Sequence, residues 1–147
     1  MKFNSFDMKM FNDARKEAEK STFDRFHVGA VIAYKHRIIG RGHNSDKTNP
    51  KQKIYNTRYR KFNNDGGGAI KHSLHAEICC LNSVPYPVGK DVDWSKASIY
   101  IYRICPGKPN GMGNSRPCSA CMNAIKDVGI KNIYYSDDLG YSYLRLN

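Results

Sequence analysis

At 147 residues the chain has the length of one ordinary domain, long enough to bury about 68–70% of its unfolded surface without staples. Its composition, 40% hydrophobic, 25% charged and 12% aromatic, excludes a disordered or fibrous protein, and no apolar run reaches the length of a transmembrane helix. Twenty-four Lys and Arg against 13 Asp and Glu give a formal net charge of +11, which favours polyanionic or phosphorylated partners.

The first twenty residues carry charge throughout and lack the apolar stretch of a signal peptide, so a cytoplasmic location is expected. Within them Phe6, Met10, Phe11, Ala14 and Ala18 recur three or four apart, the spacing of an amphipathic helix. Residues 28–34 and 37–40 are β-rich runs separated by Lys35-His36, a weak turn pair that still reads as a hairpin. From about Gly42 to Lys71 the pattern dissolves into polar residues ending in Gly66-Gly67-Gly68, and a long functional loop is expected there. A helix then begins near Ser73 and runs through Ile78 and Leu81. After a turn at Pro85 and Pro87, residues 97–104 read as a strand. The loop 106–116 leads to Pro117, expected in the first turn of a helix that carries Cys118, Cys121, Ala124, Ile125 and Val128 and stops at Gly129. Residues 131–135 and 141–146 are strands joined by a turn too short for a crossover, hence an antiparallel hairpin. The order α, β, β, α, β, α, β, β over one domain, 1–147, implies an α/β sandwich with helices covering a mixed sheet.

Five cysteines is an odd number, which favours thiols kept for metal or chemistry over a disulfide framework. His75, Cys118 and Cys121 have the residue types that Zn²⁺ prefers, and a Cys-x-x-Cys at a helix start lets both sulfurs face one ion. The helix N-terminus favours the thiolate form. Three protein ligands leave the fourth position of a catalytic site. Glu77 follows His75 by two residues, so both serve one site only if His75 sits where the backbone enters the helix. Cys79, four residues after His75, is the alternative fourth ligand that would make the site closed and structural. Cys80 and Cys105 read as core thiols, and His72 as a polar residue before the helix.

The combination His75-Ala76-Glu77 and Pro117-Cys118-Ser119-Ala120-Cys121, with Cys118 43 positions after His75, is far more specific than any part. It resembles the H-x-E…P-C-x-x-C signature of zinc-dependent nucleobase deaminases. The chain is therefore similar to the cytidine deaminase-like superfamily. Phe26-His27-Val28-Gly29-Ala30 resembles the family's Phe-Pro-Val-Gly-Ala opening strand, with His27 in place of proline, and residues 129–135 resemble the segment after the cysteine helix. The resemblance implies a three-layer sandwich with a mixed five-stranded sheet and a C-terminal β-hairpin. It also implies one Zn²⁺ per chain on His75, Cys118 and Cys121, with Glu77 as the catalytic proton carrier. Phe26, His27, Asn44 and Ala76 would contact substrate, Asn44 through the sugar, while backbone at Ala76 and Cys118 holds the base. Many relatives form homo-oligomers. Attack falls at C4 of cytosine or C6 of adenine, and the C-terminal hairpin resembles the cytidine branch.

The family acts on nucleosides, nucleotides and nucleic acids, so the substrate must be read from this chain. Between Lys47 and His72 stand seven Lys and Arg against Asp65 alone, with Tyr55, Tyr59 and Phe62 interleaved. Lys53, Tyr55, Arg58, Tyr59, Arg60 and Lys61 have the composition of a groove that tracks a phosphate backbone and stacks unpaired bases. Ser115 and Arg116, with Lys108, are placed to meet phosphate from the loop before the cysteine helix. The leading expectation is a deaminase converting cytosine to uracil in single-stranded DNA or RNA. A metabolic deaminase of cytidine, deoxycytidine or dCMP is the alternative; there Asn44-Ser45-Asp46 departs from the Asn-x-Glu of nucleoside enzymes. A non-catalytic zinc-stabilised nucleic-acid-binding module is the third, and an intact Glu77 counts against it. No membrane partner is expected.

Overall fold

A computed structural model describes residues 3–60 and 71–147; Lys61, Phe62 and the glycine run lie outside them. Helix α1 (Ser5–Ala18) opens with a capping box in which Asn4 and Asp7 each accept from the other's backbone N–H. Strands β1 (His27–Tyr34) and β2 (Arg37–His43) form the expected antiparallel hairpin. Its two-residue turn puts Lys35 and His36 at φ of 50° and 61°. Left-handed φ at both positions matches the twist of a hairpin, although neither residue is the glycine or asparagine that favours it.

The polar stretch is not all loop. Residues Pro50–Tyr59 form helix α2, started by Asn49, whose side chain accepts from the Gln52 N–H, and by Pro50 in the first turn. The next helix, α3 (Ala76–Ser83), begins three residues later than expected and has His75 as its N-cap. A short helix α4 (Tyr86–Gly89) and a single 3₁₀ turn (Trp94–Lys96) lead into β3 (Ser98–Ile104). A two-residue strand β4 (Met112–Gly113) precedes α5 (Ser119–Val128), whose N-cap is Cys118. Pro117 therefore stands just before the cap rather than inside the first turn. Gly129, at φ 106°, ends the helix as expected. Strands β5 (Asn132–Ser136) and β6 (Tyr141–Arg145) close the chain as an antiparallel hairpin.

The sheet runs β2-β1-β3-β5-β6, with β4 added beside β3 as a sixth strand. The β3–β5 pair is parallel and the others antiparallel, so the sheet is mixed. Alternation along the strands sorts its two faces. Val31, Ala33, Tyr100 and Tyr102 pack with Met10, Phe11 and Ala14 of α1. Ala30, Ile32, Ile99, Ile101 and Ile133 pack on the other face with Ile78 of α3 and Ile125 of α5. Three layers result, as the resemblance implied. Two glycines permit the close approaches: a Cβ on Gly29 would lie 2.2 Å from the Ala14 carbonyl oxygen, and one on Gly42 would lie 2.3 Å from the Cys80 nitrogen. Gly42 thus lets the start of α3 sit directly on β2. Among the described residues no helix is long and apolar enough to cross a membrane.

Candidate active site and metal centre

The starts of α3 and α5 converge at the carboxyl-terminal end of β3. His75 and Cys118 are the N-caps of these helices, and Cys121 lies one turn into α5. The Nδ1 atom of His75 is 3.2 Å from Sγ of Cys121 and 3.6 Å from Sγ of Cys118. All three ligand atoms fall within 4.8 Å of one another. Tetrahedral bonds of about 2.0 Å to nitrogen and 2.3 Å to sulfur put ligand atoms roughly 3.5 Å apart, so this donor set fits a Zn²⁺ ion. Cys79, on the same helix, does not belong to the cluster. Cys80 is fully buried among the apolar residues, and His72 bonds Asn56 at 3.1 Å.

The electrostatics suit metal binding. The hydrogen bond from Cys121 outweighs burial and, with His75, holds the Cys118 thiol down at about 3. The hydrogen bond with Cys118, with burial, pushes the Cys121 thiol up. Burial works against a charge on His75, but its bond to Cys118 and the nearby Glu77 more than offset this and raise it. Glu77 is 5% exposed, and burial raises its carboxyl.

A cavity of ≈ 250 Å³ opens over this cluster. Glu77, His75, Ala76 and Cys118 line it on one side, and Phe26, Val28 and Asn44 on another. Glu77 is buried in the first turn of α3, directly after the His75 N-cap, and borders the cavity. Asn44 spans the gap between β2 and β1: its Oδ1 accepts from Val28 N–H at 2.9 Å and its Nδ2 donates to the Phe26 carbonyl at 3.0 Å. One amide hydrogen is left for a ligand. Ser115 lines the cavity too, but its hydroxyl bonds the Ile101 and Ser136 carbonyls at 3.1 Å each and accepts from Ser136 N–H, so it has no capacity for phosphate. Arg116 lines the wall with its guanidinium 5.9 Å from the Tyr135 ring centroid. Lys108 instead pairs with Asp138 at 3.3 Å. His27 is not among the lining residues, because alternation along β1 turns it to the α1 face.

Of the basic–aromatic group, Arg60 lines the cavity. Tyr55 is held by α5: its hydroxyl donates to Asp127 at 2.7 Å, and its ring stacks on Tyr59. Burial and that bond raise the Tyr55 hydroxyl to about 12. Lys53 and Arg58 are exposed on α2, Lys53 beside a separate cavity with Thr48, Asn49 and His72. Lys61 lies outside the described residues.

Two residues that the sequence reading passed over belong to the site. Gln52 is fully buried, and its Oε1 accepts from the His75 N–H at 2.9 Å while its Nε2 donates to Asn56 at 2.9 Å. It fixes the backbone from which His75 projects. Arg103 lines the cavity with its guanidinium 5.0 Å from the Phe26 ring centroid, and its buried Nε has no hydrogen-bond partner among the described residues.

An α/β sandwich of this topology with a His/Cys/Cys cluster beside a buried glutamate defines a zinc-dependent deaminase fold. Residues 4–137 match the family model described as the cytidine and deoxycytidylate deaminase zinc-binding region, and the chain belongs to that family. No curated protein sequence matches it. Among solved structures, dCMP deaminase from the cyanophage S-TIM5 is similar at 19% identity, over 93% of this chain and 86% of that one, with a TM-score of 0.55. A second structure of that enzyme, in complex with dCMP and dUMP, has a TM-score of 0.56 at 18% identity, over 93% and 85%. Cytidine deaminase from Burkholderia pseudomallei matches at 15% identity over 94% of this chain and 91% of that one, with a TM-score of 0.56. At these identities the likeness is one of fold.

Proposed function

We propose that the chain is a hydrolytic deaminase that converts the cytosine of a phosphate-bearing nucleotide to uracil. The observation that carries this reading is one cavity in which Glu77 and the His75–Cys118–Cys121 cluster face Arg60, Arg103 and Arg116. The net reaction adds a water oxygen at C4, breaks the exocyclic C–N bond and releases ammonia. A zinc ion held by the cluster would supply a water activated near neutral pH. Glu77 is buried, stands outside the ligand set and borders the same cavity, which fits it to carry one water proton to the ring nitrogen and then the second, from the added hydroxyl, to the leaving amine. Backbone at Ala76 and Cys118 borders the position of the base, Phe26 its face, and Asn44 offers its remaining amide hydrogen to the sugar.

The guanidinium of Arg103, on the cavity wall with Arg60 and Arg116, supports a phosphate, since charge-assisted Arg–phosphate bonds are strong. The complex of the cyanophage enzyme with dCMP and dUMP supports a nucleotide of that kind. Single-stranded DNA or RNA is the second reading, supported by the charge of +11 and the exposed Lys53 and Arg58.

The test compares dCMP with deoxycytidine on zinc-loaded protein, with Glu77→Gln as the blank. The expected result is a higher kcat/KM for dCMP, a preference that Arg103→Gln lowers roughly ten- to a hundredfold. Equal use of both substrates by the parent would overturn the phosphate assignment. Absence of uracil products from folded, zinc-loaded parent would overturn the deaminase reading.

A further inference from the structure

A second and larger cavity, of ≈ 670 Å³, adjoins the catalytic one, and Phe26, Arg60 and His75 are walls of both. From that shared wall it extends along the segment before β1, past Phe23 and Arg25, to Asp46 and Lys71. Its volume is that of a site for a small molecule, whereas the catalytic cavity is smaller than the usual range of about 300–1,000 Å³. A base with its sugar would fill the first cavity and leave the second for something attached to it.

The chemistry of the second cavity narrows what that is. The Phe23 and Phe26 rings pair with centroids 4.7 Å apart and planes tilted by 42°. Around them stand Arg25, Arg60 and Lys71, together with the carboxylates Asp24 and Asp46. Aromatic faces beside cations form the platform on which unpaired bases stack while the backbone runs past positive charge. The two carboxylates suit the amino and imino donors of a base edge and repel a terminal phosphate. Asn56 also borders the cavity, but its amide is occupied by Gln52 and His72, which makes it a wall. Arg60 stands at the junction, where a phosphodiester would have to pass. This path follows the segment before β1, not the outer face of α2, where Asp127 holds Tyr55.

We propose that the second cavity receives the nucleotide adjoining the target cytosine, so that the site uses a single strand better than a free mononucleotide. The proposal rests on the deaminase reading above and names its substrate class. The test uses the full zinc-loaded chain and three substrates: dCMP, and the 5′-phosphorylated deoxydinucleotides with cytosine in the 5′ or the 3′ position and adenine as its neighbour. One stacked base is worth roughly five- to 150-fold in binding. One dinucleotide should therefore exceed dCMP in kcat/KM by at least about fivefold. Phe23→Ala and, separately, the exposed Arg25→Gln should each bring that ratio towards one. Turnover of dCMP that neither dinucleotide improves would overturn the proposal and leave the deaminase reading standing. A dinucleotide preference that neither variant lowers would place the neighbour elsewhere and also overturn it. A folded, zinc-loaded chain inactive on all three substrates would overturn both.

Discussion

Asn44→Ala separates the structural role of this asparagine from any contact with substrate. The side chain is 3% exposed and joins two backbone groups of the neighbouring strand, the Val28 N–H and the Phe26 carbonyl. Truncation leaves both unpaired, at about 1–3 kcal/mol each. Water from the adjoining cavity can reach part of the gap, so the expected total is about 2–4 kcal/mol. For a domain near 150 residues each kcal/mol moves Tm by roughly 2–4 °C, so a fall of about 5–15 °C is expected, with a matching drop in the urea midpoint. Asn44→Asp supplies the control. It keeps an acceptor for Val28 N–H but sets a carboxylate against the Phe26 carbonyl. Protonation restores the donor, so its deficit should shrink as pH falls towards 4, while that of the alanine variant should not. An alanine variant that unfolds at the parent's urea midpoint would refute the argument.

Gln52→Ala should weaken zinc binding by roughly 10–100-fold, measured by competition with a chromophoric chelator, because the His75 N–H loses the acceptor that orients its residue. Asp137 accepts from the Leu139 and Gly140 N–H groups at 2.8 Å each and from the Ser142 hydroxyl, and the Ser142 bond leads in holding its carboxyl below the usual range. A depressed carboxylate contributes stability above its unfolded pKa near 3.9 and loses it as pH falls through the folded value. Asp137→Asn should therefore flatten the acid limb of a urea-midpoint-against-pH curve below about pH 4, and an unchanged limb would show that the turn contributes nothing.

The parts of the fold legible in the sequence are those where side-chain period and burial agree. Alternation in β3 turns Ile99 and Ile101 towards α3 and α5, and Tyr100 and Tyr102 towards α1. The same alternation predicts that Arg103, two residues beyond Ile101, shares the metal-side face. Its place in the cavity was therefore available from the strand's own period. It also predicts that His27 turns away while Val28 faces the cavity, a result that motif matching alone does not give. Helix α2 was not legible because its fully buried residues, Gln52 and Asn56, are polar and leave no apolar stripe. Those amides are buried at no net loss because each is bonded, to His75, to His72 and to the other. The helix that hydropathy cannot see is the one that holds His75 in place. The same polarity that hid it ties it to the site, since an apolar face there could not accept from the His75 N–H. The local cap signal, Asn49-Pro50, was the available clue, and it marked where the expected loop gives way to structure supporting the site.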